Sequence, residues 1–322
     1  MQAIEQLFEG IVTKNRRSLS KAITIIESNL PQDSVNAQRL IQLCLNKKSS
    51  SLRIGISGIP GVGKSTFIDT FGSFVCAKGK SIAVLAVDPS SSISKGSILG
   101  DKTRMSSLSQ FENCFIRPSP SGGSLGGVTR KMRETILLCE AAGYDYIMIE
   151  TVGVGQNEIS VRSMTDLFLL LMIAGAGDEL QGFKRGITEI SDIILVNKAD
   201  GDSLISAKLS KAEYARAIQF LTPSTQGWKT IVETFSSLDS TNCEVLFQQI
   251  IAFEQHIKST GIFEERRKIQ ELEWFEDLLQ KEIVQYFLRS NNRKSLVESL
   301  KSEISNGTIN ATIAMESILK TF

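Results

Sequence analysis

Apolar residues recur at helical spacing near the start of the chain. Ile4, Leu7, Phe8, Ile11 and Val12 form one set, and Leu19, Ala22, Ile23 and Ile26 form a second. The pattern over residues 3 to 30 predicts two helices ahead of the core. The period then changes. Short apolar runs bounded by Gly, Pro, Asp and Ser occupy 52–57, 81–88, 114–117, 144–151, 166–174, 192–198 and 230–235, with helical stretches between them. Strands that alternate with helices predict an α/β fold with a mostly parallel central sheet. After about residue 258 the strand-like runs stop. Ile269, Leu272, Leu278 and Leu279 lead into Ile283, Phe287, Leu296 and Leu300 at helical spacing, which predicts a packed helix pair. Three regions result: an N-terminal helical segment over 1–50, an α/β core over 51–258 and a C-terminal helical segment over 259–322, suited to dimerisation.

Leu167 to Ala174 is the most apolar stretch, yet Asp166 and Gly175 bound it and it is far too short to cross a bilayer. It reads as a central strand. The 322 residues, 42% hydrophobic, suffice to bury one large core with helical additions. The formal charge of +1 gives no bulk electrostatic case for nucleic acid or for an anionic membrane. Glu5 and Glu9 interrupt the first apolar set, unlike a signal-peptide core or an acid-poor transit sequence, so a cytoplasmic location is expected. The cysteines at 44, 76, 114, 139 and 243 show no CxxC spacing and suit reduced, packed thiols. His256 is the only histidine and reads as a helix-face residue. A His/Cys-rich nickel-delivery loop and a DxHxxG cobalamin-carrier motif are both missing from the sequence.

Two motifs carry chemistry. Gly58-Ile-Pro-Gly-Val-Gly-Lys-Ser65 is a complete Walker A sequence between a strand-like run and a helical one. Its glycines let the chain turn so that successive N–H groups face phosphate oxygens at a helix N-terminus. Gly61, Val62, Gly63, Lys64, Ser65 and Thr66 form the expected phosphate-binding segment. Lys64 is expected to reach the β- and γ-phosphates, and Ser65 to offer a hydroxyl to Mg²⁺. The second motif, Asn197-Lys-Ala-Asp200, ends another apolar run. Guanine presents N1–H and N2–H₂ side by side, and one carboxylate accepts both, so Asp200 is the expected discriminator against adenine. Asn197 either addresses the purine or braces the phosphate loop. Lys198 is expected to lay its aliphatic stem over the purine face.

Further polar groups stand at strand ends between these motifs. Asp88, beside Pro89, and Asp101, on a Gly-rich segment with Lys102 and Arg104, are candidates to orient metal-bound water. Glu150 occupies the Walker B position and completes the candidate catalytic and Mg²⁺ set with Lys64, Ser65, Asp88 and Asp101. Its extra methylene relative to aspartate favours a water-bridged contact with the metal. Gly153 follows, where its amide can sense a γ-phosphate.

Taken together, Val87-Asp-Pro-Ser-Ser91, Gly96 to Met105, Arg117-Pro-Ser-Pro-Ser121, Leu125-Gly-Gly-Val128, Glu150 to Gln156, Gly175 to Gly182 and Asn197 to Asp202 resemble the MeaB/ArgK family over nearly the whole chain. The resemblance implies a P-loop NTPase G domain and a homodimeric, GTP-hydrolysing metallochaperone with GTP/GDP and Mg²⁺ as its ligands. Such a protein gates cofactor loading into, and protects or reactivates, an adenosylcobalamin-dependent acyl-CoA mutase, methylmalonyl-CoA mutase or a relative. The mutase's adenosyltransferase is a further partner, and no motif here holds cobalamin directly. Gly153 and Gln156 match a switch, and Asp178, Glu179, Gln181 and Lys184 match a third switch that relays nucleotide state, with Lys184 and Glu150 as charge partners. Ser236, Ser237 and Leu238 match the last guanine loop, where the family has Ser-Ala-Leu. Ile59 stands where the family usually has proline, and Ser94-Lys95-Gly96 replaces a more Gly/Thr-rich segment. Arg104 and Arg130 are candidate arginine fingers for a slow, mutase-accelerated hydrolysis. The alternative reading is a nucleotide-dependent kinase that regulates basic amino-acid transport.

Overall fold

In the computed structural model the described residues are 2–47, 49–86, 105–118, 125–151, 158–175, 185–240 and 242–321. They divide into two compact units, Met1–Glu264 and Glu265–Phe322.

The first unit opens with three helices, α1 (Gln2–Val12), α2 (Arg16–Glu27) and α3 (Pro31–Leu45), where the apolar spacing predicted two. The third escapes a pattern reading because it buries little: only Leu40 and Cys44 are fully enclosed, while Val35 and Leu45 face solvent. Pro31 sits at its first turn, where the missing N–H costs no hydrogen bond. Asn15 caps α2 by accepting from the N–H groups of Arg17 and Ser18.

Seven strands follow: β1 (Leu52–Gly58), β2 (Ile82–Ala86), β3 (Cys114–Pro118), β4 (Tyr146–Glu150), β5 (Leu167–Ile173), β6 (Ile193–Asn197) and β7 (Ile231–Thr234). They form one sheet in the order β3-β2-β4-β1-β5-β6-β7, and all six pairings are parallel. The central strands are buried on both faces, which explains their unbroken apolar runs. Helices α4 (Lys64–Ala77) and α9 (Cys243–Ser259) cover one face with Phe67, Phe71, Leu246 and Phe253. On the other face lie α5 (Leu125–Ala141), α6 (Glu158–Arg162), α7 (Arg185–Glu189) and α8 (Leu204–Ala217), and the N-terminal helices pack into the same cluster.

The amino ends of the strands are tied by buried polar groups. Asp166 Oδ2 accepts from the Arg53 N–H at 2.8 Å, and the Arg53 guanidinium makes a two-pronged pair with Glu140, each contact 2.8 Å. Asp192 accepts from the Phe168 N–H at 2.9 Å and from the Thr225 hydroxyl, with Arg162 at 3.5 Å. These bonds fix the register at one edge, which leaves the carboxyl ends to carry loops. All five cysteines are free and buried, and burial pushes the thiols of Cys44 and Cys243 up to about 12 and about 11. Those two thiols stay protonated in the core. His256 closes α9 and meets the Gln226 carbonyl at 2.8 Å through Nε2.

The second unit continues α10 (Ile262–Leu288) into α11 (Asn291–Ser305) and α12 (Ala311–Leu319), so the expected helix pair gains a short third member. Asn310 caps that helix through the Ile313 N–H. No helix among the described residues is long and apolar enough to cross a membrane.

Candidate active site

The carboxyl ends of β1, β4 and β6 bring the two sequence motifs together. β1 delivers the Walker A loop, and Gly58 and Gly63 show why glycine is needed there. At Gly58, with φ of 153°, a Cβ would meet the Leu171 carbonyl at 2.5 Å. At Gly63, with φ of 95°, it would meet Asn197 Nδ2 at 2.9 Å. Both the backbone conformation and the close neighbours exclude a side chain.

Lys64 is buried at the first residue of α4, and its ammonium donates to the carbonyls of Gly58 at 2.7 Å and Ile59 at 3.2 Å. An ammonium has three donors, so one remains for a phosphate oxygen. Burial pulls the Lys64 pKa down, and the carboxylates of Glu150 and Glu158 oppose that shift. Glu158 is a fully buried residue of α6 that the motifs did not mark. Ser65 Oγ donates to Glu150 Oε1 at 3.0 Å, so the P-loop hydroxyl and the Walker B carboxylate converge. Two oxygen ligands of this type fit a hard divalent cation such as Mg²⁺. Bound there, the cation would neutralise phosphate charge. Among the described residues no cluster of three or more His, Cys, Asp or Glu forms a separate metal centre. Thr66 is exposed beside Ser65 on the same helical turn.

β6 presents the guanine motif. Asn197 is buried and turns its amide to the phosphate loop, where Nδ2 donates to the Val62 carbonyl at 2.8 Å. Of the two roles open to it in sequence, the structure displays the brace. Lys198 adopts a left-handed conformation with φ of 57°, a strained state that recurs at functional turns, and its side chain is exposed. The turn places Asp200 beside the loop after β7. Ser236 Oγ donates to Asp200 Oδ2 at 2.7 Å and accepts from the Leu238 N–H at 3.2 Å. The carboxylate is thereby oriented while its remaining acceptor capacity stays available to a base. Leu238 is 79% exposed, ready to cover a planar ring. The Ser237 hydroxyl donates to Asn197 Oδ1 at 2.9 Å. Thr70, outside every motif, donates to the Ser237 carbonyl at 2.6 Å and ties α4 to this loop.

Thr151 is fully buried after β4, and its hydroxyl donates to Ser57 Oγ at 3.1 Å. It fixes the start of the segment that follows Glu150. The candidate finger Arg130 lies on α5 and pairs with Glu134 at 3.1 Å. Asp88, Asp101, Arg104, Gly153, Gln156, Asp178, Glu179, Gln181 and Lys184 lie outside the described residues.

The family model for the methylmalonyl-CoA mutase-associated GTPase MeaB matches residues 19–292. The mitochondrial methylmalonic aciduria type A homolog of Caenorhabditis elegans is 40% identical over 330 aligned residues, covering 99% of this chain and 83% of that protein. GTPase ArgK of Escherichia coli is 38% identical over 308 residues, covering 96% of this chain and 92% of its own length. A solved structure described as a LAO/AO transport system kinase superposes with a TM-score of 0.81 at 30% identity, covering 99% of this chain and 97% of that one.

Proposed function

The chain belongs to the MeaB family of methylmalonyl-CoA mutase-associated GTPases, and on that premise we propose that it is a GTP-gated chaperone of an adenosylcobalamin-dependent acyl-CoA mutase. In this reading it gates cofactor loading into methylmalonyl-CoA mutase or a relative, and protects or reactivates that enzyme. Ser65 and Glu150, with Asp88 and Asp101, hold Mg²⁺. Asp200 selects guanine, and Lys64 with the P-loop amides carries the phosphates.

One observation supports the gating most directly. Glu150 reaches the P-loop hydroxyl of Ser65 and is the last residue of β4, one residue before the buried Thr151 and three before Gly153. Nucleotide and Mg²⁺ therefore act on a carboxylate that leads straight into the expected switch. A change in the γ-phosphate position has a short covalent route to that segment. Hydrolysis is slow alone and accelerated by the mutase, with the stimulating group supplied on docking. The segment carrying Asp178, Glu179, Gln181 and Lys184 relays the state.

The protein acts as a homodimer. On α10, Ile269, Leu272, Phe275, Leu279, Ile283 and Tyr286 are all exposed and fall within an arc of about 120° at the helical repeat. Such an apolar stripe suits a second copy of the helix.

A second reading, a kinase linked to basic amino-acid transport, draws on the description of the solved relative at 30% identity. It requires a phosphoryl acceptor and adenine use, and the oriented Asp200 carboxylate favours guanine. Steady-state hydrolysis of GTP and ATP, with and without an adenosylcobalamin-dependent acyl-CoA mutase from the same organism, separates the readings. GTP-selective turnover that rises with the mutase is expected. Turnover indifferent to every such mutase would remove the client assignment and leave the GTPase.

A further inference from the structure

The guanine loop and the phosphate loop are joined through one hydroxyl. The Asn197 amide has two ends with opposite demands. Nδ2 donates to the Val62 carbonyl at 2.8 Å, and Oδ1 accepts from Ser237 Oγ at 2.9 Å. A flipped amide would set carbonyl against carbonyl at Val62, so that bond fixes the orientation and leaves Oδ1 to accept from Ser237. Asn197 is 1% exposed and Ser237 8%, so water is a poor substitute for either partner. Ser237 is held in turn, because its carbonyl accepts from Thr70 Oγ1 at 2.6 Å. A continuous chain of bonds thus runs from α4 through the guanine loop and the end of β6 to the P-loop. At its far end Asn197 lies against Gly63, where an added Cβ would stand 2.9 Å from Nδ2.

We propose that Ser237 is a positioning residue that sets the rate of nucleotide release. The proposal rests on the GTPase reading and adds the regulation of that same site; it does not depend on the client. Without the hydroxyl, Asn197 Oδ1 is buried with no donor, and the amide can rotate or withdraw from Val62. The turn that aims the P-loop amides then loses its brace. Phosphate and guanine contacts loosen together, because Asn197 and Asp200 leave the same strand end.

The test is the dissociation of a fluorescent GDP analogue, chased by excess GDP, from the unaltered protein, three single variants and the Thr70→Val/Ser237→Ala double variant. Ser237→Ala is expected to release the analogue about tenfold faster, the effect of one buried hydrogen bond. Ser237→Thr, which keeps the hydroxyl, is expected to release it at close to the original rate. Thr70→Val removes the strut to the Ser237 carbonyl and is expected to act non-additively with Ser237→Ala, since the two share one chain of bonds. A role confined to fold stability would lower the melting temperature of Ser237→Ala and leave release unchanged, which would overturn the proposal. Release from Ser237→Thr as fast as from Ser237→Ala would overturn it too. Failure of the unaltered protein to bind the analogue would overturn the GTPase premise itself.

Discussion

Ser65 Oγ and Glu150 Oε1 lie 3.0 Å apart, so the hydroxyl opening α4 and the carboxylate ending β4 share one hydrogen bond. Each group belongs to a different strand–loop junction, and β1 and β4 are adjacent and in register up to Ile56 and Glu150. The sheet, not the loops, sets their approach. Glu150→Gln keeps the hydrogen bond and removes the charge. It is expected to weaken Mg²⁺ on the order of 10–100-fold and to lower the GTP hydrolysis rate, with GDP binding in the absence of Mg²⁺ little changed. Magnesium titrations of hydrolysis and of GDP affinity measure both effects.

Asp200 is expected to decide the base. Replacing it with asparagine exchanges one acceptor for a donor opposite guanine N1–H and N2–H₂, while xanthine offers an oxygen at that second position. Asp200→Asn should lose GTP affinity by roughly 100-fold or more and gain preference for xanthosine triphosphate. Competition between the two nucleotides measured by equilibrium binding checks it.

The Arg53–Glu140 pair is enclosed, with 13% and 6% of the two side chains exposed. Glu140→Gln leaves the guanidinium short of its counter-charge and should destabilise the protein by about 3–5 kcal/mol. Replacing both residues with apolar ones of similar volume should recover most of the loss. Urea unfolding of single and double variants gives the comparison.

Asp145 supplies a pH signature. Burial pushes its carboxyl upward, but bonds from the Ser81 hydroxyl and N–H, with Lys80 nearby, outweigh that and hold it below its ordinary 3.8. A depressed carboxyl stabilises the fold above its unfolded pKa, and the stabilisation disappears as pH falls through the folded value. The stability gap between the protein and Asp145→Asn should be constant above about pH 5 and close below about pH 4. Thermal melting across that range shows the trend.

Charge placed in the α10 stripe should block self-association. Leu272→Glu with Ile283→Glu alters two exposed side chains, 65% and 52% accessible, so the fold of each copy should survive. Light scattering should report a monomer where the unaltered protein gives a dimer, with GTP hydrolysis retained in the variant.

The sheet and the nucleotide motifs were legible because each depends on local sequence. Buried parallel strands leave unbroken apolar runs, and the P-loop needs glycine, lysine and serine at fixed spacing. The groups that connect motifs left no such mark. Thr70 is an ordinary helical threonine in sequence and becomes a strut only because α4 packs beside the loop after β7. Ser237 was readable as a member of the guanine loop, but its bond to Asn197 spans 40 residues of sequence and is set by the tertiary fold. Asn197 left two roles open because an amide serves a purine or a carbonyl equally well. Helix α3 was missed for the opposite reason: its packing is too sparse to impose a period.

The place of β1 in the middle of the sheet carries a consequence for synthesis. Its two neighbours, β4 and β5, come late in the chain: Thr151 bonds back to Ser57 across 94 residues, and Asp166 to Arg53 across 113. The Walker segment thus leaves the ribosome without a partner on either side and must wait as an apolar strand in a nascent chain. Closing such long loops is slow and entropically costly, so the phosphate site forms late. Asp200 and Ser236 emerge later still, which makes guanine recognition the last local feature of the site to be completed and the first to be lost in any chain cut short before β7.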